Sequence, residues 1–172
     1  KGSDGPVRQQ ASFSVSFARP NKLRMHFYQA NVVCDGQHLW ASIEDLPGQV
    51  LKLPAPEKIS MESIHSDPIL GPVLTEGIVG GSLQLALLLT DSPLKPVLEA
   101  AEAPPELLPA RSLGDAECYR VRLKQSDGSM VFWIDEQTYV LRRIEFPTKE
   151  FKKNIAEQDE KVSDVTLTAE FT

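Results

Sequence analysis

The sequence is short of the residues that most often announce a function. Two cysteines in 172 residues, Cys34 and Cys118, are too few for a disulfide framework or a structural zinc site. Either they form a single bridge in an oxidising compartment, or they are two buried thiols packing as small apolar side chains, the reading the sequence favours. The three histidines, His26, His38 and His65, show no metal-ligand spacing. No run of more than two basic residues occurs and the net charge is -6, which excludes a phosphate-binding nucleic-acid surface. No Asn-x-Ser/Thr sequon is present. In the most apolar segment, residues 69–89, the clean apolar run is Leu85–Leu89, far short of the roughly 20 residues that span a bilayer. No transmembrane segment is therefore expected. The chain opens on Lys-Gly-Ser-Asp-Gly-Pro without an apolar signal core, and reads as a trimmed or processed form.

What is present is β texture. Tyr119, Val121 and Leu123 alternate with Arg120, Arg122 and Lys124, a period of two that puts apolar groups on one face and cations on the other. Turn signals at Asp127-Gly128 and Asp135-Glu136-Gln137 separate this run from Met130–Ile134 and Tyr139–Phe146, making a meander. Upstream, Phe13, Val15 and Phe17 alternate with serines, and Leu23, Met25 and Phe27 with Arg24, His26 and Tyr28. Val32–Cys34 and His38–Ile43 flank Asp35-Gly36, a strong hairpin signal. Val50–Leu53 follows, closed by Pro54 and Pro56. After the middle of the chain, Leu107–Leu113 and Val162–Phe171 complete about ten strands.

Between them the pattern turns helical and apolar over residues 67–103. Asp67-Pro68 predicts a helix to about Leu74. Gly77–Gly81 reads as a hinge or a plain connection, Ser82 as the cap of a helix through Leu89, and Ser92-Pro93 as the cap of a helix to about Glu102. Ser92-Pro-Leu-Lys95 matches the Ser-x-x-Lys of some acyl-serine hydrolases, but the partner motifs are missing and the serine is better used as a cap. The tight turn between Cys34 and His38 points their side chains apart, which argues against a nucleophilic pair. No catalytic constellation emerges, so the chain is expected to be non-enzymatic and to need no cofactor or metal.

Three motifs carry a resemblance. Phe17-Ala-Arg-Pro-Asn-Lys-Leu-Arg24, Asp35-Gly36-Gln-His-Leu-Trp40 and Trp133-Ile-Asp135 with Tyr139-Val-Leu-Arg-Arg143 are similar, in order, to segments of periplasmic lipoprotein carriers of the LolA and LolB type. The resemblance covers roughly residues 10–172 and is closest to an uncharacterised, predicted-periplasmic branch of that lipoprotein-localisation superfamily. It implies a mainly β, α+β single domain: a curved antiparallel half-barrel of about ten strands with a lid of short helices. It implies a periplasmic or otherwise extracytoplasmic binding protein holding a lipid, or the acyl chain of a lipoprotein, between sheet and insert. The expected lining is Phe13, Val15, Phe17, Leu23, Met25, Phe27, Trp40, Ile78, Leu85, Leu88 and Trp133. The alternative is a protein-interaction or sensor module of the same fold, its interior filled by its own helices and a protein partner read through an edge strand.

Overall fold

The computed structural model describes residues 13–27, 30–44, 46–66, 82–149, 152–153 and 165–172. The expected helix over 67–74, the glycine-rich connection with Ile78, and most of the charged stretch 148–161 lie outside them. The chain divides into two compact units, Lys1–Pro93 and Leu94–Thr172.

The first unit is built on an antiparallel five-stranded sheet of β1 (Phe13–Ala18), β2 (Lys22–Phe27), β3 (Ala30–Asp35), β4 (His38–Ile43) and β5 (Leu51–Pro54), each strand pairing with the next. Asp35 shapes the turn into β4: its Oδ1 accepts the backbone N–H of Gln37 at 2.7 Å and of His38 at 2.8 Å. Gly36 takes φ +99, a conformation that glycine reaches without a Cβ penalty. Helix α1 (Met61–His65) follows, closed by a capping box in which Ser60 and Ser63 each bond the other's backbone N–H. Helix α2 (Ser82–Leu89) ends the unit.

The second unit holds α3 (Lys95–Glu99) and a second antiparallel five-stranded sheet. Its strands are β6 (Glu106–Leu113), β7 (Ala116–Gln125), β8 (Gly128–Asp135), β9 (Leu141–Glu145) and β10 (Thr168–Glu170), again in sequence order. Helix α3 buries no residue. Asp135 repeats the device of Asp35, its Oδ1 accepting the N–H groups of Gln137 and Thr138 at 2.9 Å each.

The fold is mainly β and antiparallel, as the alternation predicts, with few helices. Its main difference from the expectation is that the strands form two five-stranded sheets where one continuous sheet of about ten was expected. The reason lies between β5 and β6. Pro54 and Pro56 close the first meander, Pro104-Pro105 precede the second, and the intervening stretch contains helices, so no hairpin links the two ladders. Two smaller expectations change. Helix α3 begins after Leu94, which makes no side-chain cap bond, with Pro96 in its first turn; Ser92 does not cap it. The last strand spans Thr168–Glu170, where it pairs with β9; residues 162–164 of the expected run lie outside the described residues.

Candidate functional site

Period-two alternation gives the first sheet one dry face. Val15 and Phe17 from β1, Leu23 and Met25 from β2, Val32 and Cys34 from β3, Leu39 and Ala41 from β4 and Leu51 from β5 pack into one cluster. The register explains it: Met25 stands opposite Val15 and Val32, and Val32 opposite Ala41. Over this face lie Ile59, Ile64 of α1, and Leu85 and Leu89 of α2. Leu85 is 0% exposed, and burying such a side chain is worth about 1.5–3 kcal/mol. Thus part of the apolar insert roofs the first sheet.

Of the expected lining residues, the structure brings Val15, Phe17, Leu23, Met25 and Leu85 together. Leu88 projects from α2 with 42% exposure. Phe13 and Phe27 are cross-strand partners, but their side chains, like Ile78, fall outside the described residues. The two tryptophans lie elsewhere. Trp40 stands between Val33 and Lys52 on the opposite face of the first sheet, with the Lys52 ammonium 5.8 Å from its ring centroid and the His38 ring 5.5 Å away. Trp133 belongs to the second sheet, opposite Arg120 and Arg143, on its cationic face. Sequence reasoning placed them by size, whereas counting from the tight turns places them by parity. It also passed over Val32, Cys34, Ala41, Ile59, Ile64 and Leu89. The alternation of Val32 and Cys34 with Asn31 and Val33 was a readable signal; nothing marks Ile59.

The apolar layer has one polar intrusion. Gln84 of α2 is 4% exposed, and among the described residues its Oε1 has no hydrogen-bond partner, an unmade bond that costs about 1–3 kcal/mol. Among the described residues, the polar side-chain tie between the end of α2 and the sheet is an exposed ion pair, Arg19 Nη1 to Asp91 Oδ1 at 3.1 Å. An exposed pair of this kind contributes about 0–1 kcal/mol.

His26 Nδ1 lies 2.8 Å from Asn31 Oδ1. Cys34 and Cys118 are free and buried. Burial pushes the Cys118 thiol up, the charge of Asp135 adding to it, so it stays protonated at neutral pH. Among the described residues no three His, Cys, Asp or Glu side chains converge as a metal site, and no helix is long and apolar enough to cross a membrane. No family model matches the chain, and neither a curated protein nor a solved structure does.

Proposed function

We propose that this chain is a non-enzymatic, extracytoplasmic binding protein that holds an acyl chain or similar apolar ligand under α2, against the dry face of the first sheet. In this reading that sheet serves as the wall of an open half-barrel and α1 and α2 as its lid, the arrangement that the resemblance to lipoprotein carriers implies. The supporting observation is the way α2 is held: Leu85 and Leu89 press on the sheet, while the polar tie is the exposed Arg19–Asp91 pair. A lid held by oily contacts can exchange them for a ligand's oily contacts at little net cost. A chain of a dozen methylenes gains roughly 10 kcal/mol on burial before binding costs. The unpaired Oε1 of Gln84 is a strained feature of the closed lid that opening relieves.

Native mass spectrometry of the purified protein with and without added lipid tests the reading, together with titration of a fluorescent fatty acid. A one-to-one lipid adduct and saturable probe binding are expected. If no lipid is ever carried and the probe does not bind, the reading fails.

A second reading has its own support. The side chains of α2 themselves fill the dry face, and the outermost strands show bare apolar groups: Leu53 on β5, 39% exposed, and Leu107 on β6, 68% exposed. A self-filled module that reads a protein partner through such an edge would yield a stable partner in a pull-down and no lipid adduct.

A further inference from the structure

The cationic face of the second sheet is built as rows across the strands. Leu108, Arg120, Trp133, Arg143 and Glu170 pair in succession from β6 to β10, and Glu106, Arg122, Val131 and Glu145 form the next row. Trp133 sits at the centre, 5% exposed, with the Arg120 guanidinium 4.6 Å and the Arg143 guanidinium 5.3 Å from its ring centroid. Its indole N–H and two of the arginines on this face each take a glutamate. Arg122 grips Glu106 through Nε and Nη2 at 3.1 and 2.8 Å. Arg143 Nη2 meets Glu170 at 2.6 Å, and the Trp133 indole N–H donates to Glu145 at 2.7 Å.

Arg120 breaks the pattern. Among the described residues its side chain makes no ion pair and no hydrogen bond; its Nε is buried without a partner, as is that of Arg143, but Arg143 has Glu170 on its Nη2. With its Cζ 4.6 Å over the Trp133 ring centroid and its Nε buried, the guanidinium has its two Nη nitrogens as the remaining donors. A guanidinium held over an aromatic ring gives up less entropy on binding than a free one, and its fork matches the two oxygens of a carboxylate.

We propose that Arg120, held over the Trp133 ring, is a binding site for a carboxylate from outside the chain, supplied either by a small organic acid or by an acidic side chain of a polypeptide. The inference stands on the second sheet alone and does not rest on the lipid-binding reading.

The test is an NMR titration of the unmodified protein, following the Trp133 indole N–H. The probes are glutarate, a capped Gly-Glu-Gly peptide, inorganic phosphate, and sodium chloride at matched ionic strength. Both carboxylate probes are expected to move the resonance saturably and chloride is not. Arg120→Lys keeps the charge but removes the fork, and should weaken carboxylate binding about tenfold, a loss of one bidentate contact. Arg122→Lys should leave binding within about threefold. Tighter binding of the peptide identifies a polypeptide source, and equal binding a small acid. A response matched by chloride, binding of phosphate as tight as that of glutarate, or an Arg120→Lys variant that binds like the parent overturns the proposal.

Discussion

The backbone N–H of His38 donates to Oδ1 of Asp35 at 2.8 Å, and this bond fixes the turn that sets the register of β3 on β4. Asp135 makes the same kind of turn through Thr138 and Gln137. In both cases the amides hold the carboxyl below its ordinary value, His38 most for Asp35 and Thr138 most for Asp135.

A pH dependence follows, with a definite sign. Both folded-state values are lowered, so the unfolded chain takes up protons first as pH falls. The stabilisation is complete above the unfolded value of about 3.9 and is lost as pH falls through the folded values. Urea midpoints measured between neutral pH and about pH 3 should fall. The doubly substituted Asp35→Asn, Asp135→Asn protein should lose less over that range than the parent does.

Leu85 and Leu88 lie one turn apart on α2 with opposite surroundings, 0% against 42% exposed. Leu85→Ala should cost about 2–5 kcal/mol, the usual range for a buried leucine. Leu88→Ala should stay within about 0.5 kcal/mol. Urea denaturation of the two variants makes the comparison, and equal losses would contradict the packing of α2 on the sheet.

Ser60 caps α1 through its bond to the Ser63 N–H. Ser60→Ala should lower stability by about 1 kcal/mol, read from the same denaturation curves. Hydrogen exchange at the Ser63 amide should quicken.

Trp133 is buried and its indole N–H is engaged, whereas Trp40 is half-buried on an outer face. Trp133→Phe strips Glu145 of that donor and should cost about 1.5–3 kcal/mol, the range for a bond to a charged group. Emission from Trp40→Phe, which reports Trp133 alone, should lie to the blue of emission from Trp133→Phe.

Much of this architecture is legible in the residues. The alternation of Tyr119, Val121 and Leu123 with Arg120, Arg122 and Lys124 separates the two faces of β7, but only in part by burial: Leu123 is buried, whereas Tyr119 is 37% exposed and Cys118, in phase with the arginines, is fully buried. Asp35-Gly36 announces its hairpin. The faces of the tryptophans were legible but need register rather than bulk. Gln125 pairs with Gly128 across the β7–β8 turn, so counting outward from that pair sets Trp133 against Arg120. Likewise Cys34 pairs with Leu39, which sets Trp40 beside Val33 and away from the dry face. Helix α1 was harder to read, because five residues give too little periodicity and its one marker is Ser60-x-x-Ser63. The division into two sheets was hidden because period-two alternation specifies faces within a ladder and says nothing of which ladder a strand joins.

In both sheets every hydrogen-bonded neighbour is also the next strand along the chain. Assembly can therefore proceed as a zipper, each hairpin offering a template for the following strand, with few distant encounters to wait for. Topologies dominated by nearby contacts fold fast for their size, so β1 through β5 can pair while β6 through β10 are still being synthesised.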